Sequence, residues 1–377
     1  MGTTIFAEMS ALAVATGSVN LGQGFPDTDG PREIAEAAAA AILDGRGNQY
    51  PPGPGLLELR QGIAEHQRRF YGLDFDPDTD VLVTAGATEA VAAALLALVE
   101  PGDEVVAFEP YYDSYAACIA LAGGRRVPVT LRPPHFRPDL DALRAAVTPR
   151  TRLILLNSPH NPTGSVFTRD ELAAIAELAR ERDLLVVSDE VYEHMVYAGQ
   201  HVPIGTLPGM RERTVSISSA GKTFSFTGWK IGWVTASAEL VSAVRAVKQF
   251  LTFVNGGPFQ YAIAEAMRMP DGYFTGISAG LRGQRDLLCA GLAEAGFVVY
   301  PPDGTYFVTT DISGLSDADG VEFCRRLPHE AGVVAIPNAV FYDDTEAGRT
   351  QVRFAFCKRP EVLQDALGRL GKWASRR

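Results

Sequence analysis

Hydrophobic and polar positions follow two alternating patterns through the middle of the chain. Short, continuously apolar runs are separated by longer segments in which apolar residues recur at a helical spacing. The first pattern is typical of strands buried on both faces, and the second of helices with one buried face. Predicted strands cover 80–86, 103–110, 125–131, 152–159, 183–190, 213–219 and 231–237, and predicted helices cover 87–100, 139–147, 169–182 and 238–253. The alternation predicts an α/β fold with a mostly parallel sheet sandwiched by helices.

The C-terminal third of the chain has a different pattern. Two apolar runs within 296–312 flank Pro302-Asp303-Gly304, which predicts a β-hairpin. A helix at 319–331, a strand at 350–357 and a last helix at 360–375 follow, and a first helix is predicted near the N-terminus at 31–45. This order predicts a smaller α+β domain. We therefore expect a large domain over 41–270, and a small domain formed by 271–377 together with an N-terminal arm over 1–40.

Polar and aromatic residues follow the predicted strands. In open α/β sheets, ligands bind beyond the carboxyl ends of the strands. These ends carry Gly86, Ala87 and Thr88; Pro110, Tyr111 and Tyr112; Asn157, His160 and Asn161; Asp189, Glu190 and Tyr192; and Ser218, Ser219 and Lys222. One ligand site is therefore expected to contain amides, aromatic rings, a carboxylate and a lysine.

The stretch Gly221-Lys222-Thr223 has three interpretations: the end of a phosphate-binding P-loop, a lysine that reacts with a cofactor, or an ordinary turn. A P-loop needs a glycine five residues before Gly221, where this chain has Ser216. A dinucleotide-binding fingerprint starting at Gly22 and Gly24 is also incomplete, because Asp27 occupies the third glycine position. For a lone lysine the ordinary turn is favoured. The choice among the three interpretations therefore depends on the residues at the neighbouring strand ends.

Those strand ends suit an aromatic, phosphorylated cofactor. Backbone amides where a helix begins after residue 86 would bind a phosphate. Asp189 would pair with a protonated ring nitrogen, Tyr112 would stack on the ring, and Asn161 and Tyr192 would donate hydrogen bonds to a ring oxygen. Each feature alone is equally typical of a helix cap or of core packing. Their joint occurrence at successive strand ends favours one cofactor site.

Several segments resemble motifs of one enzyme family. They are NSPHNPTG (157–164), SDEVY (188–192), SSAGKTFSFTGWKIGW (218–233) and VRFAFCK (352–358). These segments resemble the class I aminotransferases, fold type I enzymes that use pyridoxal 5′-phosphate (PLP), and the resemblance covers nearly the whole chain. NLGQGFPD (20–27) and NQYPPGPGLLELR (48–60) are similar to the branch with kynurenine and methionine aminotransferases. The general likeness is greatest to the actinobacterial N-succinyldiaminopimelate aminotransferases.

The resemblance implies a role for each site residue. Lys222 would form a Schiff base with the cofactor aldehyde and act as the catalytic base, and Arg353 would bind the substrate α-carboxylate. The other residues that it implies for cofactor binding are Gly86, Ala87, Thr88, Tyr112, Asn161, Asp189, Tyr192, Ser219 and Lys230; Asp189 and Tyr192 also count as catalytic, and Asn161 and Gly24 as substrate-binding. Tyr50 would reach the phosphate in the neighbouring subunit, which implies a homodimer. No metal is expected.

The implied reaction moves an α-amino group from an amino acid to a 2-oxo acid, with 2-oxoglutarate as the expected acceptor. The first expectation for the donor is N-succinyl-LL-2,6-diaminopimelate, in lysine biosynthesis. The alternatives are a broad kynurenine, glutamine, methionine or aromatic aminotransferase, and a cysteine-conjugate β-lyase. A PLP-binding regulator without turnover is the rival from another class. The joint presence of Lys222, Asp189 and Arg353 disfavours that rival.

Charge and composition narrow the possible partners and compartment. A net charge of −11 and a pI near 5.1 disfavour a nucleic-acid-binding surface. The cysteines at 118, 289, 324 and 357 lack zinc or CxxC spacing, which favours free thiols in a reducing compartment. Residues 1–10 lack the features of a signal peptide, and the apolar stretch 90–99 is too short to span a bilayer. We therefore expect a cytoplasmic enzyme without a membrane or nucleic-acid partner.

Overall fold

The computed structural model describes residues 4–376, so residues 1–3 and 377 of the predicted small domain lie outside the described residues. The helices are α1 Ile5–Thr16, α2 Arg32–Leu43, α3 Leu57–Tyr71, α4 Gly86–Leu98, α5 Asp113–Leu121, α6 Leu140–Ala146, α7 Arg169–Glu181, α8 Ala220–Thr223, α9 Ala238–Lys248, α10 Gly257–Ala266, α11 Asp271–Glu294, α12 Gly320–Glu330 and α13 Pro360–Ala374. The strands are β1 Val19–Asn20, β2 Val81–Ala85, β3 Glu104–Glu109, β4 Arg125–Thr130, β5 Thr151–Asn157, β6 Leu185–Asp189, β7 Thr214–Ser219, β8 Ile231–Thr235, β9 Val298–Tyr300, β10 Phe307–Asp311, β11 Val333–Val334, β12 Ile336–Pro337 and β13 Gln351–Ala355. Short 3₁₀ helices cover Ile204–Thr206, Thr227–Trp229, Asn338–Phe341 and Thr345–Gly348.

A seven-stranded sheet forms the centre of the molecule, with the strand order β2-β8-β7-β6-β5-β3-β4. Strand β8 is antiparallel to both of its neighbours, and every other neighbouring pair is parallel. Helices α4, α5 and α9 pack against one face of the sheet, while α6 and α7 pack against the other. Because both faces are covered, the central strands β3, β5 and β6 contain continuous apolar runs. The predicted α/β class is confirmed.

A second, four-stranded antiparallel sheet has the order β12-β13-β10-β9. Its β9–β10 pair is the hairpin predicted from the Pro-Asp-Gly turn. One apolar cluster under this sheet contains Met9 of α1, Leu292 of α11, Phe323 of α12 and Leu363 of α13. Residues from both ends of the described chain therefore share one core. The domain boundaries at 40 and 270 stay a prediction.

Several helices differ from the sequence expectation. Helix α1 precedes the predicted first helix; the Thr4 hydroxyl accepts a hydrogen bond from the Ala7 amide at its start, and Gly17, with φ 61°, ends it. Its apolar residues do not form one stripe, which hides it from a periodicity search. Helix α11 was also missed, because its glycines at 272, 276, 280 and 283 have low helix propensity. Packing against α10 and α13 stabilises it instead. Helices α3, α5 and α10 were likewise not predicted.

The sequence predicts free cysteines and apolar helices too short to span a bilayer, and the described residues agree with both expectations. All four cysteines are free thiols, and those at 118, 324 and 357 are buried. Between residues 4 and 376, no helix combines the length and apolar character needed to cross a bilayer.

Candidate functional site

A cavity of about 410 Å³ lies at the carboxyl edge of the seven-stranded sheet, between that sheet and β13 of the smaller one. Because β2, β3, β5, β6 and β7 all end at this edge, the residues that follow them meet there. The cavity is lined by every predicted site residue except Tyr50, namely Gly24, Gly86, Ala87, Thr88, Tyr112, Asn161, Asp189, Tyr192, Ser219, Lys222, Lys230 and Arg353. The Tyr50 side chain is 82% exposed and contacts the ring of Phe253.

Lys222 lies on the short helix α8, directly after β7. Its Nζ donates hydrogen bonds to the Tyr306 hydroxyl at 2.6 Å and to the Gly24 carbonyl at 3.3 Å. Burial is the main cause that lowers the pKa of Lys222 to about 8. In a fraction of the molecules the Lys222 amine is therefore neutral near pH 7. Only the neutral amine is a nucleophile or a base.

The shifted pKa predicts how Lys222 affects folding stability. The unfolded chain binds the lysine proton more tightly than the folded protein does, so the charge destabilises the fold below pH 8. This penalty disappears as the pH rises from about 8 to about 10.4. For the ligand-free protein, Lys222→Met is expected to raise the free energy of unfolding by about 3 kcal/mol at pH 7 and by about 1 kcal/mol at pH 9.5. Urea titrations of both proteins at the two pH values measure the difference.

The exposed Lys372 provides the control for this comparison. Lys372→Met should change the free energy of unfolding by less than about 0.5 kcal/mol at both pH values. A Lys222→Met effect that stays constant with pH would contradict the lowered pKa.

Asp189 is a buried carboxylate at the end of β6. Its Oδ2 accepts a hydrogen bond from the Tyr115 hydroxyl at 2.6 Å, and its Oδ1 accepts one from the Val191 amide at 3.3 Å. Burial raises its pKa. No residue from 4 to 376 forms an ion pair with it. Because an unpaired buried carboxylate is unfavourable, the site has room for a positively charged ligand group at this position.

Arg353 lies on β13 and is only 1% exposed. Its Nη1 donates to Asn161 Oδ1 at 2.9 Å, its Nη2 donates to the Gly22 carbonyl at 3.0 Å, and its guanidinium lies 4.0 Å from the Phe307 ring centroid. Burial lowers its pKa to about 10, so the group stays charged at neutral pH. Its Nε is buried without a hydrogen-bond partner. A buried cation with an unused donor at a cavity can bind a carboxylate.

The other end of the cavity is suited to an anion. Helix α4 begins there at Gly86 without a side-chain cap, so its first backbone amides are available to a ligand. Gly86 has φ 73°, and a side chain on Gly232 would collide with its backbone, so the close approach requires glycine at both positions. Lys230 Nζ lies 3.4 Å from the Thr88 hydroxyl, and Ser219 lines the same wall.

Two tyrosines and Asn161 lie between these ends. The Tyr192 ring packs edge-on against the Tyr306 ring, and burial raises its pKa, so the hydroxyl stays a donor. Tyr112 packs edge-on against Tyr115. The backbone N–H of Asn161 donates to Asn157 Oδ1 at 2.8 Å, so Asn157 stabilises the loop that follows β5. Because Asn161 Oδ1 accepts from Arg353, its side-chain nitrogen can donate to a ligand in the cavity.

Several residues of the site were missed by sequence reasoning. The Tyr306 hydroxyl bonds both Lys222 and the Gly24 carbonyl, and Tyr115 orients Asp189. Phe307 forms an apolar part of the cavity wall. The hairpin pattern predicts a strand that begins near Tyr306, but nothing in the sequence indicates that this strand contacts Lys222. Tyr115 lies on α5, which was not predicted.

Comparison with known proteins assigns the chain to a family. The family described as aminotransferase class I and II matches residues 16–370. The chain belongs to the class I and II aminotransferase family. A solved structure of N-succinyldiaminopimelate aminotransferase from Mycobacterium tuberculosis is 53% identical, with a TM-score of 0.96, and covers 99% of this chain and 97% of that one. The resemblance, the fold class and the enzyme class expected from the sequence are confirmed.

Two further relatives of this aminotransferase have different names. A methionine aminotransferase from Escherichia coli is 44% identical over 98% of this chain and 96% of its own. A human kynurenine–oxoglutarate transaminase 1 is 37% identical over 98% of this chain and 95% of its own. All three relatives align with almost their whole length, so this aminotransferase shares a complete catalytic domain with them.

Proposed function

We propose that this aminotransferase uses PLP, bound in the cavity with its phosphate at the start of α4 and its ring beside Asp189. The residues fit this group, because an unpaired buried carboxylate and an anion site lie at two ends of one cavity with Lys222 between them. When bound, PLP supplies an aldehyde that bonds reversibly to amines and a ring that accepts an electron pair. Gly86, Ala87, Thr88, Ser219 and Lys230 would hold the phosphate. Tyr112, Asn161, Asp189 and Tyr192 would hold the ring.

The observation that carries the proposed reaction is that Arg353 and Lys222 line the same cavity. An α-amino acid carries a carboxylate and an amine on the same carbon atom, and the cavity offers one buried cation and one reactive amine. Arg353 would bind the α-carboxylate, assisted by Asn161 and Gly24. The neutral Nζ of Lys222, held by Tyr306, would accept the proton from the α-carbon and return it during transfer.

For the amino donor we propose N-succinyl-LL-2,6-diaminopimelate, with 2-oxoglutarate as the acceptor, as in lysine biosynthesis. The relative from Mycobacterium tuberculosis supports this choice by its 53% identity over nearly the whole chain. A role in lysine biosynthesis follows from this substrate and is part of the same proposal.

One observation favours a second candidate, a donor with an aromatic or thioether side chain. The cavity wall includes Phe6, Phe25 and Phe307, and its only cationic lining residues within 4–376 are Lys222, Lys230 and Arg353. All three already have proposed roles in binding the cofactor or the α-carboxylate. The remaining carboxylates of a succinylated diaminopimelate would therefore have no cationic partner among the lining residues of this subunit. The methionine and kynurenine aminotransferases among the relatives are consistent with this second donor class.

A half-reaction screen distinguishes the donors. Each amino acid is added to the PLP-loaded enzyme without a 2-oxo acid, and the rate of loss of the bound-cofactor absorbance is recorded. N-succinyl-LL-2,6-diaminopimelate is expected to give the highest second-order rate constant for this half-reaction. It should exceed the values for methionine, glutamine and kynurenine by about 10-fold or more. A higher value for one of these three would overturn the first choice. Release of pyruvate and ammonia from cysteine conjugates would instead identify a β-lyase.

We also propose that the enzyme is a homodimer in which Tyr50 reaches the phosphate site of the partner. Exposed apolar side chains at Tyr50, Phe250, Leu251 and Phe253 support an interface on this face. Asn255, at the end of this exposed segment, donates to the Lys230 carbonyl at 3.2 Å, so the face adjoins the edge of the cavity.

The domain division and the compartment are part of the proposal. The proposed division is a large domain over 41–270 and a small domain from 1–40 and 271–377. Separate apolar cores under the two sheets support it for α1 and for most of 271–377. Ile34 and Ala37 of α2 pack with α3 and α10 in a core of the large domain, so these cores do not support the boundary at 40. Helix α11 joins them, because Phe274 packs in one core and Leu292 in the other. Free cysteines support a reducing, cytoplasmic location.

A further inference from the structure

A second group of chemically reactive side chains lies outside the catalytic cavity. His66 on α3 and Glu193 and His194 in the turn after β6 bring their side chains together. The two Nε2 atoms of the histidines are 2.7 Å apart. One ring nitrogen of each histidine and one carboxylate oxygen of Glu193 all lie within 4.8 Å of one another. His66 is 2% exposed and Glu193 is 4% exposed. None of the three residues has a role in the proposed reaction.

Two buried carboxylates in this region have no lysine or arginine partner within residues 4–376. Glu193 accepts hydrogen bonds from the Tyr71 hydroxyl at 2.6 Å and the Ser218 hydroxyl at 2.5 Å. The neighbouring Glu190 is also buried, and it contacts only the Ser188 hydroxyl and the His201 ring through its side chain. Within the described part of the chain, neither carboxylate pairs with a lysine or arginine. Buried carboxylates without a cation are strongly unfavourable, so this region favours a bound positive charge.

The two histidine side chains face each other through their ring nitrogens. Two facing ring nitrogens at 2.7 Å need either a shared proton or a cation between them. The Gln67 side chain lies beside His66 Nδ1, and its Oε1 has no partner. Rotating this amide would let Oε1 accept from Nδ1–H, which leaves the Nε2 lone pair for a metal.

We propose that His66, His194 and Glu193 bind a divalent transition-metal ion, with zinc as the first candidate. Two imidazoles and one carboxylate form a donor set that zinc prefers, and water can fill the fourth position. Zinc–nitrogen distances of about 2.0–2.1 Å require the two Nε2 atoms to separate by roughly half an ångström. Calcium and magnesium are disfavoured, because they prefer oxygen ligands.

The surroundings permit such a site. The rings of Phe70 and Phe274 pack against both histidines, with centroid distances of 4.8–5.4 Å. Arg69, a charge that acts on both histidines, pairs with Asp271 at 2.7 Å, which offsets its repulsion of a metal. The two phenylalanine rings form an apolar wall beside the histidines, which lowers the local polarity around the proposed site.

The proposed metal has a structural consequence for the catalytic cavity. Glu193 directly follows Tyr192, and Ser218 directly precedes Ser219, while Tyr192 and Ser219 line the cavity. A metal that joins α3 to the turn after β6 would hold this wall in place. The inference does not depend on PLP, since the two sites share no residue.

Metal analysis of the purified protein tests the proposal. The protein is prepared without chelator or PLP, and its zinc content is measured by inductively coupled plasma mass spectrometry. One zinc per chain is expected. After dialysis against EDTA, titration with zinc chloride should restore one equivalent and raise the melting temperature. His194→Gln is expected to weaken zinc binding at least about 100-fold, whereas His135→Gln, an exposed control, should leave it unchanged.

Two measurements on the unaltered protein keep the test valid if His194→Gln fails to fold. Cobalt chloride should give the visible absorption of cobalt bound by nitrogen and oxygen ligands. Anomalous diffraction at the zinc edge should place one ion between His66 and His194. If the EDTA-treated protein binds neither zinc nor cobalt, or binds them equally in His194→Gln, the proposal is wrong. The two rings would then share a proton.

Discussion

Replacing Lys222 with alanine is expected to lower the rate of amino-group transfer by at least about 10⁴-fold, the upper range for loss of a positioned base. The variant loses the amine proposed to bond the cofactor, which is also the proposed base and lies beside the Tyr306 hydroxyl. Steady-state assays with the best donor and 2-oxoglutarate measure the rate. Borohydride reduction followed by peptide mass spectrometry measures cofactor attachment, which should be found at Lys222 in the unaltered enzyme and nowhere in the variant.

Lys372→Ala is the matched control, because Lys372 is exposed on α13 and does not line the cavity. It should retain full activity and cofactor attachment. Attachment of the reduced cofactor to a different lysine in the unaltered enzyme would contradict the assignment of Lys222. Activity of Lys222→Ala within about 10-fold of the unaltered enzyme would contradict its role as the base.

Replacing Arg353 with alanine is expected to lower kcat/KM for the amino donor by about 100- to 1000-fold, equivalent to about 3–4 kcal/mol of binding. The α-carboxylate would face a buried pocket without its cation, and Asn161 and Gly22 would lose a donor. Arg353→Lys keeps the charge but not the two parallel donors, so it should recover only part of the loss. Steady-state kinetics with both variants measure these changes.

Arg349→Ala provides the control for Arg353, because Arg349 lies nearby in the sequence but is exposed and pairs with Glu346. Its kcat/KM should stay within about twofold of the unaltered enzyme. A primary amine without an α-carboxylate should react equally slowly with the unaltered enzyme and with Arg353→Ala. A kcat/KM for the donor that survives Arg353→Ala would show that a different group binds the carboxylate.

Much of the catalytic cavity could be predicted from the sequence because parallel strands end at a common edge. Asp189, Asn161 and Lys222 follow different strands, and the apolar runs that predict those strands also predict that the three residues meet. The same local signals predicted the hairpin from its Pro-Asp-Gly turn. Arg353 was assigned by family resemblance, and its burial between the two sheets is a result of the structure.

Other parts of the site depend on contacts between distant segments. Tyr306 bonds Lys222 across 84 positions of the chain, and His66 contacts His194 across 128. The histidines have no recognisable metal spacing in the sequence, because α3 and the turn after β6 bring them together only through packing. Helices α1 and α11 were missed for the same reason, since tertiary contacts rather than their own periodicity stabilise them.

The sequence by itself determined the α/β class, the aminotransferase family and the candidate lysine, because strand periodicity and short motifs are local properties. Only the tertiary structure decided that Arg353 has an unpaired donor, that Tyr306 bonds Lys222, and that Glu193 lies beside two facing histidines. These features depend on burial and on distances between remote segments. Such distances are set by how helices and sheets pack against one another, which the order of residues along a single element does not specify.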